Sequence, residues 1–200
     1  MMAPFDNSST GIFGGTFDPI HIGHLILARD VLEQLEIKRI IFMPASRAPL
    51  SEHEPLASNE DRYEIVRAAI RGEPRFEVSD LELRDSEINY TVDTIETLRS
   101  ENPDDSFALI IGADQFEKLP QWHRVNDLII LTQLICLERP GYTLQATGPF
   151  KEIGWRSIKP RSLAVSSTEI RERIRGGLSV QHLVPETALE VIRKRGIYSA

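Results

Sequence analysis

Two histidines three residues apart, His21 and His24, follow paired glycines, Gly14 and Gly15, in the run GIFGGTFDPIHIGHL. Imidazoles, glycines and amides in such a row suit the holding of phosphate. Gly14 and Gly15 let a backbone come close to a ligand, with the Thr16 and Phe17 amides as donors. Asp18 reads as a helix N-cap and Pro19 as the first helical residue. His21 and His24 then share one face of the first turn, beside free N–H groups and the positive end of the helix dipole. A tight strand-to-helix turn alone would account for either glycine, but glycines, Asp18-Pro19 and both histidines together favour a ligand. A zinc pair is the competing chemistry, and two histidines with only Asp18 nearby make an incomplete zinc site.

The elements that must carry this run read as alternating strands and helices. Strand-like apolar stretches cover 11–14, 39–43, 75–78, 107–111, 128–137 and 155–158. Helical patterns cover 23–35, 59–71 and 91–100, with a further helix starting near Ser167 and a last one over 185–195. This alternation indicates a parallel α/β sheet, and runs such as FALIIG, without polar alternation, fit a sheet covered on both faces. Ligands of such sheets sit beyond the strands' carboxyl ends, where Gly14–His24 and Gly112-Ala113-Asp114 both fall. The expected organisation is one domain over 1–200, with a flexible tail at 1–10 and a C-terminal helical part at 166–200. Two proline- or glycine-bearing segments, 45–58 and 141–154, read as mobile.

Composition narrows the function. The chain has 200 residues, 41% of them hydrophobic, with a net charge of −7, enough for one proper core and the wrong sign for a nucleic-acid binder. The one cysteine, Cys136, lies in an apolar stretch and reads as a buried thiol, with no disulfide to form within the chain. No apolar run reaches the roughly 20 residues that span a bilayer, and the N-terminus lacks the basic and apolar regions of a signal peptide. A cytoplasmic protein without membrane partners is the expectation. A homo-oligomer is left open, because the last helix and IRKRGIY can pack on the domain or on a second copy.

Neither GxGxxG nor GxxxxGK[ST] follows the first strand. GGTFDPIHIGHL and the later SSTEIR instead resemble the two signature motifs of the nucleotidyltransferase superfamily with HxGH sites. YTVDT, IIGADQFEKLPQWHR, SSTEIRERI, LVP and RGIY extend the resemblance to the bacterial nicotinate-nucleotide adenylyltransferases over nearly the whole chain, in the family's order. The resemblance implies a Rossmann-like, doubly wound parallel sheet with a C-terminal helical extension. It also implies a reaction: the 5′-phosphate of nicotinate mononucleotide attacks the α-phosphorus of ATP, giving deamido-NAD and pyrophosphate. The attacking phosphate is already anionic, so positioning and charge stabilisation must supply the catalysis.

On that resemblance His21, His24 and Arg171 are the catalytic residues, with an imidazolium at the histidines held by bound phosphate. Gly14, Gly15, Thr16, Phe17, Ser167 and Thr168 bind ATP phosphates. Ser166 and Glu169 also form a capping box, which coexists with a phosphate role for the same helix start. Thr91, Asp114 and Trp122 bind the mononucleotide: the threonine at the nicotinate carboxylate, the aspartate at a ribose, the tryptophan stacked on the pyridine ring. Helix capping is the plainer reading of Thr91 and Asp114, and a half-buried anchor that of Trp122. His53, His123 and His182 carry no expected chemistry. ATP brings more negative charge than an acidic chain neutralises with these groups, so Mg²⁺ bridging the phosphates is expected, with no protein ligand.

The chain departs from the family in one place. Where relatives carry a PPHK-like run after the second strand, it has PASRAPLSEHEP, leaving Arg47 as the nearest source of that charge. The rival readings are another transferase of the superfamily, such as the pantetheine-phosphate enzyme, and a nucleotide-binding module without catalysis. GADQFEKLPQWH speaks against the first, and the presence of His21, His24 and Arg171 against the second.

Overall fold

Neighbouring residues of the central strands enter two different cores. On the first strand, β1 (Ser9–Gly15), Phe13 joins one apolar cluster and Ile12 the other. The same partition runs through β2 (Arg39–Pro44), β4 (Ser106–Gly112) and β5 (Gln133–Leu137), where Phe42, Ile110 and Ile135 oppose Met43, Ile111 and Cys136. Period-two strands buried on both faces read as continuous apolar runs, which is the pattern of the sequence. The computed structural model describes residues 9–47, 54–84, 89–139, 141–142, 155–161 and 163–199.

The sheet has six parallel strands in the order β3-β2-β1-β4-β5-β6, with β3 at Phe76–Val78 and β6 at Trp155–Ile158. Around it lie α1 (Ile22–Leu35), α2 (Asn59–Ala69), α3 (Thr91–Glu101), α4 (Ala113–Lys118), α5 (Val125–Leu131), α6 (Ser167–Arg175) and α7 (Glu186–Arg195). Helices α1, α2, α6 and α7 cover the face centred on Phe13 and Phe42, and α3, α4 and α5 cover the other. This is a doubly wound Rossmann-like sheet. Its strand order reverses between β1 and β4, the place where such sheets bind ligands.

The C-terminal helices pack on their own chain. Thr187 donates its hydroxyl to the Ala68 carbonyl at 2.6 Å, and Arg195 meets Asp61 at 2.7 Å, so α7 is fastened to α2. Among the described residues no helix is long and apolar enough to cross a membrane.

Two expectations are corrected here. The apolar run 128–137 is not one strand: Leu128 to Leu131 finish α5, and β5 begins at Gln133. Thr132 makes the break, its buried hydroxyl donating to the Phe107 carbonyl at 2.8 Å. Ser9 and Thr10, read as part of a tail, begin β1. The rest of that tail lies outside the described residues, as do 48–53, 143–154 and His53 from the segments read as mobile.

Candidate active site

The turn after β1 is organised from a distance. Asp18, 5% exposed, accepts the Leu56 and Ala57 N–H groups at 2.8 and 3.1 Å and the Tyr198 hydroxyl at 2.7 Å. It is therefore not the cap of α1, and Pro19 is not its first residue: α1 begins at Ile22 with His21 as N-cap. Three donors from remote segments claim the carboxylate that a local reading assigns to the helix. One first-turn amide is also spoken for, since Ile22 donates to the Leu183 carbonyl at 2.9 Å.

The glycines differ in what they serve. A Cβ on Gly15 would press on the Phe17 ring at 3.0 Å, and one on Gly23 would strike the His21 ring at 2.9 Å. A Cβ on Gly14 would meet nothing within 4 Å. Gly15 and Gly23 thus satisfy internal packing, while the space beside Gly14 is open to a ligand. Phe17 itself is buried against Phe13, Phe42 and His24.

His21 and His24 stack, with ring centroids 3.7 Å apart and planes at 22°. The His21 backbone N–H donates to His24 Nδ1 at 3.2 Å, so a neutral His24 carries its proton on Nε2. Burial lowers the His21 pKa to about 4. His24 is held well below its ordinary value by burial first, then by the charges of His21 and Arg139. Both rings therefore favour the neutral form, because charge there is desolvated and crowded. No third His, Cys, Asp or Glu joins them as a metal-holding group among the described residues.

Helix α6 arrives at this turn from the far end of the chain. Ser167 Oγ donates to the Pro19 carbonyl at 2.8 Å, and Arg171 donates to the Asp18 carbonyl at 2.7 Å and to Thr168 Oγ1 at 3.2 Å. Ser166 caps the helix, accepting the Glu169 N–H at 3.2 Å. The cap expected at Ser166 is present.

Two cavities open over the carboxyl ends of the strands. The larger, about 1320 Å³, is lined by His21, His24, Ser166, Ser167 and Asp114. The smaller, about 710 Å³, is lined by Thr16, Thr91 and Trp122. They share Phe13, Gly14, Gly15, Gly112 and Gln115, so they meet where β1 and β4 diverge. Asp114 thus stands with the histidines rather than with Thr91 and Trp122, paired to Arg139 at 3.2 Å. Arg171 and Thr168 are not on the wall of the larger cavity.

Thr91 is the first residue of α3, whose N-cap is Tyr90, so the capping reading of Thr91 falls. Asp114 likewise sits inside α4, whose N-cap is Gly112. Trp122 is half-buried, and its indole N–H is buried without an acceptor among the described residues. His123 is exposed and lies against the Tyr90 ring at 4.2 Å. Arg47 pairs loosely with Glu54 at 3.9 Å and lines neither cavity. Arg139, Lys159 and Arg161 supply positive charge to the larger one.

Three organising residues escaped the sequence reading: Arg62, Glu82 and Tyr198. Arg62, fully buried, donates to the Thr16 and Ala45 carbonyls at 2.7 and 2.6 Å and to Asn59 Oδ1 at 2.7 Å. A signal for it existed, since Arg62 stands three, four and seven residues before Ile65, Val66 and Ala69 on the buried stripe of α2.

Comparison with known proteins agrees with this architecture. Residues 12–173 match the cytidylyltransferase-like family. A relative from Geobacillus kaustophilus, named "Probable nicotinate-nucleotide adenylyltransferase", is 42% identical over 190 residues, covering 95% of this chain and 86% of its own. One of the same name from Opitutus terrae is 41% identical over 188 residues, covering 94% and 96%. In fold, the chain is similar to the Plasmodium falciparum nicotinic acid mononucleotide adenylyltransferase complexed with NaAD. The TM-score is 0.75 at 20% identity, over 95% of this chain and 97% of that one.

Proposed function

The chain belongs to the cytidylyltransferase-like family and falls among its nicotinate-nucleotide adenylyltransferases, and on that premise we propose the reaction that its two cavities perform. ATP occupies the larger cavity and nicotinate mononucleotide the smaller. A 5′-phosphate oxygen of the mononucleotide attacks the α-phosphorus of ATP in line. The bond from that phosphorus to the oxygen leading to the β-phosphate breaks, and pyrophosphate leaves with the electron pair. Deamido-NAD is the product, which places the enzyme in NAD biosynthesis.

The observation that carries this reading is the junction of the cavities at Gly14, Gly15 and Gly112. Two substrates held in adjoining cavities meet there, at a glycine whose missing side chain leaves room for a phosphate. Positioning of this kind supplies much of a phosphoryl-type transfer.

The residues take distinct parts. His24, with Nδ1 occupied by the His21 amide, offers Nε2–H as a neutral donor to the transferred group. His21 holds that ring by stacking. Ser167 and Thr168 present the start of α6 to the phosphates. Arg171 fixes the Asp18 turn and is a cation at that turn able to move onto the triphosphate. Trp122 stacks on the pyridine ring, and Thr91 faces its carboxylate. Asp114, on the wall of the larger cavity next to the junction, takes a ribose hydroxyl.

Mg²⁺ belongs to the same proposal. When bound, the ion would offset charge on the triphosphate, and the protein's own task is to hold the phosphates. The test is pyrophosphate release with ATP and Mg²⁺, comparing nicotinate mononucleotide, nicotinamide mononucleotide and phosphopantetheine. A clear preference for the first is expected. Preference for another acceptor overturns the assignment of the smaller cavity, and nucleotide binding with no release from any acceptor overturns the transfer itself.

A further inference from the structure

A carboxyl group is buried in the wall of the smaller cavity. Glu82 belongs to the 3-10 turn Leu81–Leu83, is 9% exposed, and lines the same space as Thr91 and Trp122. Thr94, three residues along α3 from Thr91, donates its hydroxyl to Glu82 Oε1 at 2.7 Å. The turn is held firmly: the Glu82 carbonyl accepts the Ser46 N–H at 3.2 Å, and Asn59 donates to the Leu83 carbonyl at 3.2 Å. The carboxyl group is thus part of a built wall, tied to the helix that begins with Thr91.

We propose that Glu82 is a specificity-determining residue of the acceptor cavity, which takes a ring carboxylate readily only while the Glu82 carboxyl group is neutral. The proposal rests on the reading of this cavity as the mononucleotide site. Two carboxylates in a partly desolvated pocket repel strongly, whereas a neutral carboxyl group beside a carboxylate does not. An acceptor with a ring amide carries no such charge and is indifferent to the state of Glu82.

The switch falls in the working range. Burial lifts the Glu82 pKa to about 7, with the Thr94 hydroxyl pulling the other way. Among the described residues, the charged groups around the turn have partners of their own. Asp80 and Arg84 on either side pair with each other at 2.8 Å. Asp93 and Glu96 of α3 are taken by Arg124. Arg62 of α2 is spent on carbonyls and Asn59, and Arg47, beyond β2, is paired with Glu54. Tyr90 packs on His123, which also lines the cavity.

The test is the pH dependence, from 6 to 8.5 at saturating ATP, of the KM for nicotinate mononucleotide divided by that for nicotinamide mononucleotide. An inhibition constant replaces either KM where turnover is slow. The ratio cancels titration of the phosphate that both acceptors share. In the wild type it is expected to rise about tenfold across the range, as Glu82 ionises. Glu82→Gln should hold the ratio flat, at the wild-type acid value. Thr94→Val removes the bond that favours the ionised form, so the rise should move to higher pH, and His123→Gln should keep the wild-type profile. Urea unfolding confirms that each variant folds, and the wild-type and Thr94→Val profiles decide the matter if Glu82→Gln does not. Turnover of nicotinate mononucleotide with a flat wild-type ratio, or a Glu82→Gln ratio that still rises, overturns the role of Glu82 and leaves the reaction standing. No turnover of that acceptor at any pH overturns the reaction and this proposal together.

Discussion

The Tyr198 hydroxyl donates to Asp18 at 2.7 Å across 180 positions of sequence. The same Asp18 binds the amides of Leu56 and Ala57 through its carboxylate and Arg171 through its carbonyl. Three remote segments therefore converge on one residue between the glycines and histidines of the site. Tyr198→Phe removes one donor from a buried carboxylate without changing the shape of the ring. A stability loss of about 1–3 kcal/mol is expected, as for a buried hydrogen bond to a charged group. Turnover should fall several-fold, because the Asp18 turn positions Arg171 and α6. Urea midpoints and kcat at saturating substrates check both. Lost stability with unchanged kcat would show that the Tyr198 clasp does not reach the chemistry.

The stacked histidines set an acid limit on stability. The folded pKa of His21 is about 4, below the ordinary 6.5, and that of His24 is lowered as well. The unfolded chain therefore binds more protons between these values, and stability falls as pH drops from 6.5 toward 4. His21 alone accounts for about 3 kcal/mol across that window, taking 1.36 kcal/mol per pKa unit. Denaturant titrations at pH 7, 5.5 and 4.5 should show the decline, and His21→Asn should flatten it. An equally steep decline in His21→Asn would assign the acid sensitivity to another group.

What was legible in the sequence was what the chain decides locally. The apolar run around Phe13 shows a strand buried on both faces, and SSTE shows a capped helix start. The alternation of elements pointed to a parallel α/β sheet for the same reason: period and length are local properties. The run 128–137 failed because unbroken apolar residues carry no period, and only the Phe107 carbonyl reveals why Thr132 ends the helix. Asp18 failed for a different reason. A carboxylate before proline and an apolar stretch looks like a cap until donors from Leu56, Ala57 and Tyr198 are brought to it. Asp114, grouped in the sequence with Thr91 and Trp122, lines the cavity of the histidines, since the direction of a side chain after a strand depends on partners such as Arg139.

The glycines give a clean contrast. Gly14→Ala adds a methyl group into space free of protein atoms, so the fold should tolerate it while the methyl group occupies room needed by phosphate. A melting temperature within about 2 °C of wild type and a KM for ATP or the acceptor raised roughly tenfold are expected. Gly23→Ala drives its methyl group against the His21 ring, so it should lower kcat by displacing the histidine stack while leaving Gly14 untouched. Melting curves and steady-state kinetics on both variants separate the roles. A Gly14→Ala enzyme with unchanged KM values would place the substrates elsewhere.

His24 provides the sharpest test of how charge is stabilised. The His21 amide occupies Nδ1, so the donor is the Nε2–H of a neutral ring, and protonating that ring means breaking an existing bond. Turnover at saturating substrates should therefore stay level between pH 6.5 and 8.5. An imidazolium donor would instead lose activity about tenfold per pH unit above its pKa. His24→Ala should cut kcat by roughly 10²–10³, the usual loss for one donor aimed at transition-state charge, with KM for ATP changed only a few-fold. That split follows if the bond strengthens as charge develops on the transferred group. Matching losses in ATP affinity and none in kcat would make His24 a binding residue, and a kcat falling steadily above pH 7 would restore the charged ring.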